Sequence, residues 1–388
     1  MSAPTILLSA GEASSDMYAA QLARRLRERT GASIFGMGGP RMAEAGVELI
    51  ADYHEVAVVG IAEVLHKIPS VVSVQNRLAR EAVRRKADLA ILVDSPGTHL
   101  GVARRLKARK IPVGYFIGPQ IWAWRAGRVR IVRRRVKKMV VIFPFEEKIY
   151  RDAGVPVEFV GHPLVDVVKA SLSREQFAAK HGLDPTKPIV TLLPGSRKNE
   201  IARNYPAVAQ ASAGLVRSGG KAAESQFVLV TAHGLGRELF APHEPPGLNI
   251  HRIDDRAYDA LAAADCAIVA SGTATIEAAL LGTPMVVVYR VSPFSAFLAR
   301  PLIRTRFFAM PNVITGKHVV PELIQSDFTA ETVRDAAKHL IESSHGRSEM
   351  RARLAEVRSR LGPGGAIERA AEVFAAMLQD RYAGNGKR

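Results

Sequence analysis

Arg197, Ser271, Gly272, Thr273 and Glu277 stand in two stretches of similar design, TLLPGSRKNEI (191–201) and AIVASGTATIEAALLGTPMVVVYR (267–290). Each passes from an apolar, strand-like run through a turn of small residues into a helical pattern. A parallel sheet built this way points backbone N–H groups at a phosphate. Ser271, Gly272 and Thr273 let a diphosphate approach the helix that carries Glu277, although plain helix capping also accounts for a Ser-Gly-Thr turn. In the other stretch Arg197 follows Gly195 and Ser196, and its planar fork suits a pair of phosphate oxygens. Glu200 either joins that site or pairs with Arg197 across one helical turn. A cation for a diphosphate and a carboxylate for sugar hydroxyls together predict a nucleotide-sugar site.

A second set lies in the first half. The run ADLAILVDSPG (87–97) ends its apolar part at Asp94, where a carboxylate can act as general base toward a hydroxyl or merely cap the next helix. The loop AGEASSD (10–16) places Glu12, Ser14, Ser15 and Asp16 at the equivalent rim; it lacks the G-x-G-x-x-G spacing, so no dinucleotide cofactor is expected. His99 and His162 can move a proton near neutral pH, though His162 in VGHPL reads more as an inter-domain turn. No D-x-D stands near a strand end. A metal is not required, because Arg197 and helix N-termini can neutralise a departing diphosphate.

The elements that must position these residues alternate between strand and helix. TILLSA, SIFGM, ADLAILVD, PVGYF, KMVVIF and VEFVG predict the strands of a first sheet, and IVTLLPG, QFVLVTA, NIHRI, CAIVAS and PMVVVYR those of a second. The pattern predicts an α/β protein of two Rossmann-like, doubly wound domains facing a cleft lined by the carboxyl ends of both sheets. Their expected extents are 1–168 and 188–346, with a linker over 169–187 and C-terminal helices (about 347–388) packing back on the first domain.

A chain of 388 residues is long enough for about two cores. Its one cysteine, Cys266, lies in an apolar run, which excludes a disulfide framework and fits a small core residue in a reducing compartment. No signal peptide and no run of the ~18–20 apolar residues needed to span a bilayer is visible, so a cytoplasmic protein is expected. The formal charge of +17 favours anionic partners. Much of it sits in Arg125–Lys138, which includes Arg133, Arg134 and Arg135 and contains no acidic residue; it is either a solvated helix face or a surface for phosphates and anionic lipid. Nucleic acid is not expected, because no binding module is recognisable. The apolar stretch Val56–Val74 contains Val58, Val59, Ile61, Val64, Leu65 and Ile68 and is either a buried helix or, beside the basic run, a segment that dips into a membrane surface. Trp122 and Trp124 fit both alternatives.

The segments AGEASSD, GMGGPRM, VVGIAEVL, VDSP, PQIWAWR, FPFE, FVGHPLVD, LLPGSRKNEI, ASGTATIEA, PMVVVYR and MPNVITG occur in the order found in lipid-A-disaccharide synthases, and the chain resembles that family from about Ile6 to Gln325. The resemblance implies a GT-B glycosyltransferase, peripheral on the cytoplasmic face of the inner membrane. It would join UDP-2,3-diacylglucosamine to 2,3-diacylglucosamine 1-phosphate with inversion and release UDP. Similarity assigns Asp94 as base, Arg197 to the diphosphate, and Ser271–Ala274 with Glu277 to the nucleotide; it places Glu12 and Asn312 near the reacting sugars. The partners are then the UDP-sugar, the acylated acceptor and an anionic membrane surface, with a homodimer compatible. Two departures stand out. Gly97 and His99 replace the second Asp and the Asn of a common D-x-P-D-F-N, and Ser15 stands where glycine is usual, adding a side chain where substrate would come close. Two other classes remain open, a UDP-N-acetylglucosamine 2-epimerase and a non-enzymatic polyanion-binding protein.

Overall fold

Short runs of Ile, Leu, Val and Ala, too apolar to keep a solvent face, form the strands of two parallel sheets whose faces are covered by helices. The computed structural model describes residues 3–56, 61–122, 127–232, 234–254, 257–291 and 305–385, with backbone only for 61–66 and 383–385. It divides into two compact units, Met1–Pro163 with Gly362–Arg388, and Leu164–Leu361.

The first unit runs β1 (Thr5–Ala10), α1 (Ala13–Thr30), β2 (Ser33–Gly38), α2 (Pro40–Glu44), β3 (Glu48–Asp52), α3 (Ile61–Arg84), β4 (Leu89–Val93), α4 (Pro96–Ala108), β5 (Val113–Phe116), α5 (Arg128–Arg135), β6 (Lys138–Val141), α6 (Pro144–Asp152) and β7 (Val157–Phe159). Its seven-stranded sheet has the order β3-β2-β1-β4-β5-β6-β7. Strand order reverses between β1 and β4, where connections diverge and open a crevice. Ala10 pairs with Val93, so Gly11 and Asp94 leave the sheet side by side. Helix α3 is two-faced: Val74 and Leu78 enter the core, whereas Ile68 and Val72 are 48% and 39% exposed.

The second unit runs α7 (Leu164–Val167), α8 (Arg174–His181), β8 (Ile189–Leu193), α9 (Lys198–Arg217), β9 (Gln226–Thr231), β10 (Ile250–Asp254), α10 (Ala257–Ala263), β11 (Cys266–Ala270), α11 (Thr273–Leu280), β12 (Met285–Tyr289) and β13 (Glu322–Ile324), followed by further helices. Its six strands are ordered β10-β9-β8-β11-β12-β13, with the reversal between β8 and β11. Leu193 pairs with Val269, so the turns carrying Arg197 and Gly272 leave the sheet close together. Cys266 is fully buried in β11, and burial pushes its thiol up to about 12, an inert core position.

The unit boundaries differ from those expected. Residues 169–187 are part of the second unit, because Phe177 and Ala178 on α8 pack with Leu183, Ile189 and Val228 in its core. Of the C-terminal helices, Ser344–Arg360 stays with the second unit and only Ala366–Asn385 belongs to the first. Between them Gly362 and Gly365, both at φ +84, supply the left-handed turns that redirect the chain. The last helix lies on α1 and β4. Gly114 of β5 must lack a side chain there, since a Cβ would sit 2.5 Å from the Phe374 ring. Among the described residues no helix is long and apolar enough to cross a membrane.

Candidate active site

A cavity of about 880 Å³ opens at the carboxyl ends of β8, β9, β11 and β12, lined by Gly195, Ser196, Arg197, Ser271, Gly272, Thr273, Ala274 and Glu277 among others. All of its lining residues belong to the second unit. The Ser271 N–H continues the sheet ladder to the Val288 carbonyl, and its hydroxyl donates to the Phe308 carbonyl (2.8 Å), which fixes the turn on both sides. Gly272 then takes φ +155, a conformation glycine adopts without strain. The N–H groups of Thr273 and Ala274, first in α11, have no partner among the described residues; together with the helix dipole they form a seat for an anion.

One turn along α11, Glu277 accepts the Tyr258 hydroxyl at 3.1 Å. Burial lifts its carboxyl above the usual range, against the lowering effect of Tyr258. Its second oxygen has no partner among the described residues and can accept from a sugar hydroxyl. Across the cavity, Glu200 accepts the Ser196 N–H (3.0 Å) and the Arg197 guanidinium (3.2 Å). Glu200 therefore shapes the turn and steers Arg197, and it both pairs with Arg197 and lines the cavity. Gly195, at φ +144, makes this possible: a Cβ there would lie 2.6 Å from that of Glu200. The Arg197 side chain itself is 62% exposed and able to reach a phosphate. Among the described residues no three His, Cys, Asp or Glu side chains gather as metal ligands.

The first unit holds a different kind of site. Asp94 and Ser95 both lie in the left-handed region, at φ +55 and +46, and so does Ile117 (+57) after β5. Each such residue costs about 1–3 kcal/mol, and strain of this kind concentrates at functional sites. Burial, and then the charge of Glu12, lifts the Asp94 carboxyl to about 6. Glu146, third residue of α6, is almost fully buried, accepts the Phe143 N–H at 3.3 Å and is lifted by burial to about 8. The charge of Asp94 raises it further, so two carboxyls share one neighbourhood with their affinities for protons set apart. Burial drives His99 down to about 4 and His162 to about 3, so both rings are neutral imidazoles near pH 7, each with a single ring N–H, and neither takes up a second proton readily there.

Several expected site residues have other duties. Asn312 is fully buried: its amide nitrogen donates to the Val320 carbonyl (2.9 Å) and Glu322 (2.8 Å), and its oxygen accepts the N–H groups of Val319 and Val320 (2.7 and 2.9 Å). All four of its hydrogen bonds are taken, so it does not meet a sugar. Its effect is indirect, since Glu322 also holds the Phe308 N–H and the Phe308 carbonyl holds Ser271. Asp16 is buried and caps α2, accepting the N–H groups of Gly39 (2.7 Å), Arg41 (3.1 Å) and Met42 (3.2 Å). Ser15 is turned inward, bonded to the backbone N–H and carbonyl of Glu12 (2.9 and 2.8 Å), so its side chain does not stand where a substrate would approach. Glu12 and Ser14 remain exposed. Val58, Val59, Trp124 and Arg125 lie outside the described residues, as do the side chains of Ile61, Val64 and Leu65. Sequence reasoning missed Glu146 and Tyr258; for Glu146 the only signal was its place in FPFE.

Comparison with known proteins places these features in a family. The family described as lipid-A-disaccharide synthetase matches residues 6–375. The lipid-A-disaccharide synthase of Koribacter versatilis is 45% identical, over 95% of this chain and 96% of its own. The chain belongs to the lipid-A-disaccharide synthase family. The lipid-A-disaccharide synthase of Solibacter usitatus is similarly related, at 43% identity over 97% of this chain and 98% of its own. Membership makes the chain a glycosyltransferase of lipid A biosynthesis. Solved structures agree on the GT-B fold alone. UDP-GlcNAc 2-epimerase from Neisseria meningitidis, bound to UDP-GlcNAc, has a TM-score of 0.68 at 14% identity, over 96% of this chain and 100% of that one. The calicheamicin glycosyltransferase CalG4 has 0.58 at 17%, over 98% and 99%. The epimerase alternative thus has only a shared architecture behind it, whereas the lipid-A-disaccharide synthases share the sequence.

Proposed function

We propose that the second unit binds UDP-2,3-diacylglucosamine and that Asp94 of the first unit deprotonates the 6-hydroxyl of 2,3-diacylglucosamine 1-phosphate. The oxygen then attacks the anomeric carbon from the face opposite UDP, inverting it and giving the β-1,6-linked disaccharide 1-phosphate. The diphosphate that departs is met by the Thr273 and Ala274 N–H groups and by Arg197, placed where negative charge grows. Glu277 holds hydroxyls of the nucleotide sugar. The observation that carries this is the cavity at the β8/β11 reversal, in which an anion seat, an exposed cation and a half-buried carboxylate converge on one side of the sheet. A carboxyl lifted to about 6 suits Asp94 to its task, being ionised at neutral pH yet more basic than an exposed aspartate.

The acceptor and donor are acylated, which calls for an anionic bilayer surface on the cytoplasmic face of the inner membrane. In support, the chain has no acidic residue from Ser95 to Phe145. Arg130, Arg133 and Arg134 line a cavity of about 410 Å³ and have no acidic partner among the described residues. Exposed Ile68 and Val72 on α3 add apolar contact. Incubating the purified protein with both acylated sugars and seeking the disaccharide by mass spectrometry tests the proposal. Formation of UDP-N-acetylmannosamine from UDP-N-acetylglucosamine, without disaccharide, would overturn it.

A further inference from the structure

We propose that His99 and Tyr115 are positioning residues that hold Asp94, through its backbone carbonyl, in the left-handed conformation that presents its carboxyl beside Glu12. The inference rests on Asp94 being the base. Neither Asp94 nor Ser95 is a glycine, so the two successive left-handed residues need something to hold them. The Asp94 carbonyl receives two hydrogen bonds, from His99 Nδ1 at 2.7 Å and from the Tyr115 hydroxyl at 2.6 Å. Both side chains are fully buried, and the His99 ring stands edge-on to Tyr115.

Chemistry fixes the state of the imidazole. A carbonyl oxygen only accepts, so Nδ1 carries the proton. Burial keeps the ring neutral, so Nε2 bears a lone pair and accepts from the Ser9 hydroxyl, 2.8 Å away and itself buried in β1. Ser9, His99 and Tyr115 thereby form one network with every donor and acceptor fixed, converging from both sides on the Asp94 carbonyl. It ties the loop after β4 to β1 on one side and β5 on the other. Gly11 closes the arrangement: a Cβ there would lie 2.3 Å from Ser95 Oγ, so the end of β1 presses on the same turn. An asparagine at this position offers an amide N–H in place of Nδ1, which makes His99→Asn the conservative replacement.

The test compares His99→Leu, His99→Asn, Tyr115→Phe and Asp94→Asn, reading kcat, KM, the pH profile and UDP binding by calorimetry. The groups around Asp94 that bear on the profile are Glu12 before α1, Glu146 on α6, Tyr115 on β5, His99 on α4, and Arg128, whose charge reaches Tyr115. His99→Leu and Tyr115→Phe are each expected to lower kcat about tenfold or more with donor KM and UDP binding unchanged. The acid limb of kcat/KM should move below about 6 as the loosened turn exposes the carboxyl to water. His99→Asn should restore most of kcat and return the limb. If His99→Leu fails to fold, Tyr115→Phe, which removes one oxygen, carries the test alone. Full kcat and an unmoved limb in the folded variants, with Asp94→Asn inactive, would overturn the inference and leave the base assignment standing. An active Asp94→Asn would instead overturn the assignment of the base.

Discussion

Replacing Asp94 by asparagine is expected to stabilise the first unit while removing turnover, and the size of the first effect follows from the site. Burial, with Glu12 second, lifts this carboxyl from 3.8 to about 6. Keeping it ionised in the folded protein therefore costs roughly 3 kcal/mol relative to the unfolded chain. Between those two values the folded state binds the more protons, so stability falls as pH rises from about 4 to about 6, and the deficit persists at neutral pH. Asparagine has no charge to desolvate and keeps an oxygen for the Ser95 N–H. Because Asp94 is partly exposed, solvent screens some of the cost. A gain of about 1–3 kcal/mol is expected at pH 7.5, several degrees in the melting temperature of the first unit. The gain should shrink to about half a kcal/mol at pH 4, where the folded aspartate is neutral and the unfolded one only about half ionised. Scanning calorimetry at the two pH values measures the stability, and UDP release at pH 7.5 measures turnover, expected to fall by roughly 100-fold or more. A variant that melts lower at pH 7.5, or shows the same offset at both pH values, would refute the desolvation argument; retained turnover would refute the role in proton transfer.

Glu146→Gln should mimic the neutral acid, so its stability advantage over the parent is expected to grow as pH rises from about 4.5 to about 8 and then level off, as followed by thermal melting. An advantage that does not change with pH would mean Glu146 is ionised throughout. Arg197→Ala should weaken UDP binding about tenfold or more in calorimetry, the loss of a charged hydrogen bond; an unchanged Kd would place the diphosphate elsewhere. Joint replacement of Arg133 and Arg134 by glutamate should reduce sedimentation with anionic vesicles, most at low salt. Equal sedimentation would count against a membrane role for α5.

The central strands were legible because strands covered on both faces are continuous apolar runs, as in LAILV of β4 or CAIVA of β11. The edge strands β3 and β13 were not, because Glu48, Asp52 and Glu322 give them the polarity of a loop and β13 is only three residues long. The phosphate turns were legible for a local reason, since glycine and small residues directly after a strand are required by the close approach itself. Glu146 was not, because its burial arises from α6 folding over the end of β6 beside Asp94, a tertiary effect with no trace in the spacing. Asn312 misled for the converse reason. Its four partners lie within ten residues, yet nothing in MPNVITG shows that they consume its amide. The 169–187 segment looked like a linker because proline and glycine punctuate it, while Phe177, which decides its fate, is a single residue.

The return of Ala366–Asn385 to the first unit has a consequence for how the protein is made. Residues 164–361 form a continuous unit that can fold as it emerges, but the first unit lacks its final helix until the end of the chain is synthesised. At about 5–20 residues per second, translation of the intervening segment takes on the order of 10–40 s. For that interval the ground on α1 and β4 where Phe374 and its neighbours will settle is open to water, and Arg29 and Asp88 lack the partners they find in Glu368 and Arg381. The half of the molecule bearing the strained Asp94 turn is thus the last to be completed.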